Sequence, residues 1–258
     1  ALFLDEDGNP LRYFDGIASG RSTGVPGAMA LLGVAHADYG KLNWATSFEP
    51  AITLAEEGFA VSPRMADLVA RMGRFVLPRD PEARDYFFVE SDPSQPLPVG
   101  FLRDNPAYAD TLRALQEDPR ALLSGPIAEA IIAKTQEEPL PGTLTLADMA
   151  AYQPIKTPAL CSTYRDYRLC SAPPPSSGGV GVQAILGMLE TVDMAAMGQS
   201  VDGWHYFIEA SQLGYADRDR YVADPDFVDV PTDALLAKPY LESRAALIQA
   251  EGALGDYK

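Results

Sequence analysis

The sequence predicts an α+β protein in which helices carry most of the mass, and three observations point there. Apolar residues recur at helical spacing in segment after segment, with capping residues at their ends. The convincing strands gather around two hairpin signals. A chain of 258 residues with 47% hydrophobic composition is long enough to bury a sizeable core, and residues 1–258 are read as one domain with no internal repeat.

The opening "ALFLDEDGNPLRYF" reads as strand, Asp7-Gly8 turn and short strand, because Asp-Gly between apolar runs favours a hairpin. Its acids do not make a calcium loop: Pro10 stands at the sixth position, where the turn needs Gly, and Gly16 at the twelfth, where a bidentate Glu is required. From "GVPGAMALLGVAHADYG" the pattern turns helical, with Met29, Leu32 and Ala35 or His36 on one face and Gly40 ending it. His36 is read as a core-edge side chain rather than a ligand. "WATSFEPAITLAEEGF" and "SPRMADLVARMGRF" continue as helices, the second capped by Ser62 with Pro63 in its first turn. The proline-interrupted, acidic stretch "LPRDPEARDYFFVESDPSQPLPVGF" predicts a long irregular connection with at most one helical turn over 81–88. Helices resume at "NPAYADTLRALQED", "SGPIAEAIIAKTQEE" and "TLADMAAY", where Thr145 caps and Asp148 follows three residues on.

Cys161 and Cys170 flank "STYRDYRL". If Arg165-Asp166 is a two-residue hairpin loop, Cys161 faces Cys170 at a non-hydrogen-bonded pair, with Cα atoms about 4.5 Å apart and within disulfide reach. An oxidised pair implies a periplasmic or secreted protein; a reduced pair of cross-strand neighbours fits a cytoplasmic one. Both readings stand at this point.

Next comes "SAPPPSSGGVGVQAILGMLE". Prolines 173–175 hold an extended approach, Ser176 or Ser177 can accept from a free N–H of the helix that follows, and Gly178 and Gly179 let backbone come close to another strand or to a substrate. Free helical N–H groups beside glycines also suit an anion, which makes Ser176, Ser177, Gly178 and Gly179 substrate-binding candidates. Val182, Ile185, Leu186 and Leu189 mark one face of that helix. A longer helix spans roughly 202–222 with Trp204, Phe207, Ile208 and Tyr215. In its "ADRDR" run adjacent charges point in different directions and do not pair with each other, which reads either as a solvated helix end or as a network in which Asp217 and Arg218 contact a neighbouring subunit.

Net charge is −16 without a basic cluster, which disfavours nucleic acid and anionic membrane surfaces as partners. No run approaches the ~18–20 apolar residues of a membrane span. Two histidines, 36 and 205, do not supply a multi-histidine zinc site. G-x-S-x-G, G-x-G-x-x-G and G-x-x-x-x-G-K-[ST] are all absent, so the sequence calls for no metal and no cofactor. The apolar faces of the helices outnumber the strands available to cover them. Either the fold is mostly helical, or the missing strands belong to another polypeptide.

Six segments in one order carry a resemblance: "GVPG" at 24–27, "YGKLNWATSFEPAITLAEEGF" at 39–59, "GPIAEAII" at 125–132, "LTLADMAAYQP" at 144–154, "PPPSSGG" at 173–179 and "YADRDRYVADPDFVDVP" at 215–231. Together they resemble the large subunit of the γ-glutamyltranspeptidase family over nearly the whole chain. The resemblance implies a portion of an αββα N-terminal-nucleophile hydrolase sandwich, with this chain supplying mainly helical layers. It implies a small subunit, cut from the same precursor, whose N-terminal threonine attacks a γ-glutamyl amide with its own α-amine as base; that threonine motif is expected beyond residue 258. No catalytic residue is then assigned within the chain, and alone it is expected to be inactive. The family's Asp-Gly-Arg-Glu-Thr-Ala-Pro segment, whose arginine holds the substrate carboxylate, is only loosely mimicked by "FDGIASGRSTG", where Arg21 stands too far from Asp15-Gly16, so its role does not pass to Arg21. The implied substrate is a glutathione-type γ-glutamyl compound. An acylase of the same family, acting on cephalosporin side chains or polyglutamate, and a noncatalytic scaffold are the alternatives.

Overall fold

The computed structural model describes residues 2–255. Whereas 1–258 reads as one domain in the sequence, the chain falls into two compact units, Ala1–Ile155 and Lys156–Lys258, each with buried apolar clusters of its own.

In the first unit, capping chemistry fixes where the helices begin. After α1 (Tyr13–Ile17) and α2 (Ala28–Tyr39, closed by Gly40) come α3 (Glu49–Glu57), β1 (Phe59–Ala60) and α4 (Pro63–Arg71). Ser62 caps α4 by accepting from the Met65 N–H at 3.1 Å, with Pro63 in the first turn as predicted. α5 (Pro81–Phe87), β2 (Phe88–Val89), β3 (Asp92–Pro96) and β4 (Leu102–Arg103) follow, then α6 (Pro106–Glu117), α7 (Gly125–Thr135) and α8 (Leu146–Ala151). Thr145 and Asp148 form the complete capping box.

Two expectations change here. The opening hairpin shrinks to a single bridge, Leu4 with Pro10, around Gly8 at φ +82°, because the chain turns helical right after Arg12. The acidic proline-rich stretch is ordered rather than irregular. Asp80 caps α5 through the Ala83 N–H at 2.8 Å and pairs with Lys134, while β2 and β3 form a small antiparallel hairpin. One carboxylate thus starts a helix and ties it to α7.

Two apolar clusters fill this unit. α3 and α6 bury Ile52 and Ala55 against Ala109, Leu112 and Leu115, closed by Phe48, and the Trp44 indole N–H reaches the Leu115 carbonyl at 2.9 Å. α2, α7 and α8 bury Ala30, Ala128, Ile132 and Met149 around Leu123.

The second unit opens with β5 (Leu160–Tyr164) and β6 (Tyr167–Ser171), paired in the predicted register across a two-residue turn. Arg165 takes φ +54° at that turn, the left-handed geometry such loops require. Then come α9 (Ser177–Leu189), α10 (Met194–Met197), α11 (Val201–Tyr221), α12 (Thr232–Leu235) and α13 (Lys238–Ala245). α9 is a helix as predicted, and of the expected face Leu189 is buried and Ile185 packs against the core, but Val182 faces out and the buried stripe is shifted to include Val180, Ala184 and Met188. Small residues explain the shift. A methyl group on Gly214 of α11 would meet Ile185 at 2.8 Å, and one on Gly187 would meet Leu241 of α13 at 2.5 Å, so the helices approach on their glycine faces rather than on their bulkiest ones. For the same reason α11 buries Ala210 and Leu213 and leaves Trp204, Phe207, Ile208 and Tyr215 exposed.

Gly179 and its neighbour Gly178 differ sharply. A Cβ on Gly179 would lie 2.4 Å from the Ala172 carbonyl oxygen, whereas one on Gly178 would meet nothing within 4 Å. Gly179→Ala is therefore expected to destabilise the protein by about 1–3 kcal/mol. Gly178→Ala should be neutral or stabilise by up to about 1 kcal/mol. Urea unfolding of the two variants separates them, and equal midpoints would show that the backbone contact is not limiting.

Candidate functional site

After β6 the chain reverses over 173–176, where the Ser176 N–H donates to the Pro173 carbonyl at 3.1 Å. The three prolines thus make a turn rather than an extended approach. Ser176 occupies the N-cap of α9, yet its side chain makes no capping bond. Ser177, the first helical residue, uses its hydroxyl differently: its Oγ accepts from Nε of Arg218 at 3.0 Å. Two segments singled out separately in the sequence are therefore in contact. The Arg218 guanidinium also pairs with Asp219 at 2.5 Å and lies over the Tyr215 ring, 6.0 Å from its centroid. Gly179 sits against the backbone of residue 172, which gives it a packing role, and Gly178 borders open space. The exposed result is a helix start with free N–H groups, two hydroxyls and one guanidinium, an arrangement that favours a carboxylate.

Asp217 goes elsewhere. Its carboxylate receives Nε and NH2 of Arg244 at 3.1 and 2.9 Å, and both side chains are nearly buried. The Arg244 NH2 also donates to the Leu213 carbonyl at 3.3 Å, and the Tyr240 hydroxyl bonds to Asp217. Asp217 finds a partner other than its neighbour, as the sequence suggests, but within this unit, whereas Arg218 does pair with the adjacent Asp219, against the expectation that neighbours in the run stay apart. Asp217 is not a surface group awaiting another subunit; of the two candidates, only Arg218 stays exposed. Tyr240 and Arg244 were not foreseen. Their only trace in the sequence is a one-turn spacing on a short polar helix.

The thiols of Cys161 and Cys170 are joined in a disulfide, with Cα atoms 4.2 Å apart. The hairpin is fastened to α9 along its length. The Gln183 Nε2 donates to the Leu160 carbonyl at 2.9 Å, the Arg165 N–H donates to Glu190 at 2.7 Å, and the Arg165 guanidinium reaches the Val192 carbonyl at 2.7 Å. A cavity of about 670 Å³ lies between the hairpin, α9 and α13, and Gln183, Glu190, Lys238 and Glu242 are among its lining residues.

In the first unit, a cavity of about 620 Å³ holds Asp15, Arg79, Asp80, Lys134 and Glu137. Both of its cations are already paired: Arg79 with Asp15, and Lys134 with both Asp80 and Glu137. The Lys134 ammonium holds Asp80 below the usual carboxylate range. Arg21 donates to the Leu2 and Leu4 carbonyls, each at 3.3 Å, a structural use consistent with withholding a substrate role from it. Among the described residues no helix is long and apolar enough to cross a membrane.

A family model described as gamma-glutamyltranspeptidase matches residues 1–257. The glutathione hydrolase proenzyme of Escherichia coli is 36% identical over 246 residues, covering 95% of this chain and 41% of that protein. The acylase ACY 1 proenzyme of Pseudomonas sp. (strain V22) is 33% identical over 241 residues, covering 93% of this chain and 42% of its own length. The crystal structure of Helicobacter pylori gamma-glutamyltranspeptidase superposes with a TM-score of 0.89 at 30% identity, over 98% of this chain and 72% of that one. The chain thus spans about two fifths of the length of these curated relatives.

The buried cluster sets two expectations. Asp217→Ala leaves Arg244 buried without its counter-charge and should cost about 3–5 kcal/mol in urea unfolding. Burial first, and then the bond to Asp217, push the Tyr240 hydroxyl up to about 12 from its ordinary 10. Between those two values only the unfolded chain gives up the Tyr240 proton, so stability falls as pH rises through that window. Tyr240→Phe should remove this part of the alkaline loss, as read by thermal melts between pH 9 and about 12.

Proposed function

This chain belongs to the γ-glutamyltranspeptidase family, and from that premise we propose that it is the larger part of a two-subunit γ-glutamyl hydrolase and transferase acting on glutathione-type substrates. The observation that carries the proposal is the likeness to the H. pylori transpeptidase, with a TM-score of 0.89 over 98% of the chain. The E. coli and Pseudomonas relatives are named as proenzymes, which supports a precursor that cuts itself. The α+β, mainly helical architecture fits the helical layers of an αββα N-terminal-nucleophile fold.

In this proposal the nucleophile is an N-terminal threonine on the partner subunit. Its free α-amine takes the hydroxyl proton as the oxygen attacks the γ-carbonyl carbon; the amide nitrogen leaves with a proton, and a γ-glutamyl ester remains. Water or the amine of an acceptor then attacks that ester. Backbone N–H groups hold the oxyanion at each step, and no metal or cofactor enters.

On this chain, Ser176, Ser177, Gly178 and Gly179 are assigned to the substrate side and Arg218 to the face shared with the partner, because Ser177 and Arg218 meet at an exposed helix start. Export to an oxidising compartment is part of the proposal, supported by the Cys161–Cys170 bond. A second reading, an acylase, is favoured by the 33% identity to acylase ACY 1.

Expression of the full precursor tests the whole reading. Intact mass should show two fragments, and the pair should hydrolyse a chromogenic γ-glutamyl anilide faster than a glutaryl amide. An uncut precursor would remove the two-subunit mechanism, and the reverse substrate preference would favour the acylase. Replacing both Ser176 and Ser177 by Ala should lower kcat/KM by about tenfold, mainly through KM, as expected for lost hydrogen bonds to a charged group. Unchanged kinetics would end their substrate role.

A further inference from the structure

Beyond α13 the chain gives up regular structure. The Leu247 and Ile248 N–H groups still donate to the Arg244 and Ala245 carbonyls, but over 249–255 the backbone makes no hydrogen bond to other backbone among the described residues. Two side chains of α11 hold this strap instead. Nε2 of His205 lies 2.7 Å from the Gln249 carbonyl oxygen; that oxygen can only accept, so the ring nitrogen donates. The Leu254 N–H in turn donates to Oε2 of Glu209 at 3.1 Å, and Ile248 and Leu254 pack on the apolar cluster of this unit.

Glu209 is only 2% exposed. A carboxylate kept from water loses hydration, and specific bonds must offset that loss. The other buried carboxylate of α11, Asp217, answers the Arg244 guanidinium. Glu209 is turned to the backbone of a segment that has no ladder of its own.

The two tethers also give the strap a direction. His205 and Glu209 stand one turn apart on the same face of α11, and the earlier of them meets the earlier strap residue. The strap therefore runs the way α11 runs, toward the helix end that carries Arg218, about 14 Å beyond Glu209 along the axis. All of these contacts lie inside the second compact unit, so they do not depend on what the rest of the polypeptide covers.

We propose that His205 and Glu209 are positioning residues for self-cleavage of the precursor: by holding 249–255 along α11, they direct the chain that follows and set how the bond to be cut meets its nucleophile. The inference rests on the two-subunit reading. There the threonine hydroxyl oxygen attacks the carbonyl carbon of the residue before it, the C–N bond breaks, and the nitrogen takes the hydroxyl proton as a free α-amine. Water then hydrolyses the ester, leaving a carboxylic acid on one fragment and the hydroxyl on the other. Two groups on one chain react at a rate set by how well they are held in line. A strap without secondary structure supplies that order only where something else fixes it.

The full precursor is expressed, and its conversion to two fragments is followed by intact mass. Glu209→Ala should slow cutting about tenfold and His205→Ala about threefold, the effects of losing a charge-assisted and a neutral hydrogen bond. Glu209→Gln keeps an acceptor for the Leu254 N–H and should recover most of the rate. Once cut, each variant should turn over a γ-glutamyl anilide with wild-type kcat/KM, whereas a merely structural role would lower turnover and cutting together. Hydrogen exchange should quicken at the Leu254 amide of Glu209→Ala and leave α11 protected. If Glu209→Ala fails to fold, His205→Ala, at a partly buried position, carries the test. Cutting at the wild-type rate in His205→Ala and Glu209→Ala, or Glu209→Gln as slow as Glu209→Ala, overturns this inference and leaves the two-subunit reading standing. A wild-type precursor that stays whole overturns both.

Discussion

Close approach to α9 is the constraint on which the second unit depends. Glycine at three points lets this helix touch its neighbours without a side chain between them: Gly179 against the carbonyl of residue 172, Gly214 of α11 against Ile185, and Gly187 against Leu241 of α13. Protein interiors are packed densely enough that a contact at such distances leaves no room for a methyl group. The shift of the buried stripe of α9, the burial of Ala184 and Met188 between α11 and α13, and the position of the hairpin all follow from those approaches. Gln183, buried on the hairpin side, turns that proximity into a specific bond with the Leu160 carbonyl.

The Asp217–Arg244 pair refines this packing rather than creating it. Two charges held out of water lose hydration worth as much as their attraction returns, so a buried pair of this kind is weak evidence of net stability. It does fix how α13 lies on α11, because the bidentate fork accepts only one relative placement of the two helices and the bond to the Leu213 carbonyl fixes it further. The neighbouring charge at Arg218 points outward from the same helix end. One turn of α11 thus divides its ionic groups between an internal lock and an exposed face.

That division matters for the proposed chemistry. The exposed face combines Arg218, Ser177 and the start of α9, with Asp219 paired to the guanidinium. The family's N-terminal threonine, which carries its own amine as base, is the group the proposal supplies.

Local chemistry was legible in the sequence wherever a residue acts on its own neighbours. Ser62 with Pro63, Thr145 with Asp148, Gly40 at the end of α2, and the Arg165-Asp166 turn that sets Cys161 opposite Cys170 all have signals a few residues long, and each stands where the sequence placed it. The ordered family segments likewise identified the family, because matched motifs in one order do not depend on knowing how they pack. What acts across the chain was not legible. The buried stripe of α9 was read from its largest apolar residues, which placed Leu189 and Ile185 but not Val182, because glycines on two partner-facing sides shifted it. The proline-rich stretch was read as irregular, yet Asp80 gained both a helix to cap and a lysine to pair with. Arg244, 27 residues beyond Asp217, carries no mark in the sequence that it will complete that carboxylate. The sequence by itself determined the helix ends, the hairpin register and the family; only the tertiary structure decided which faces are buried and which charges meet, because those outcomes depend on how closely distant backbones approach.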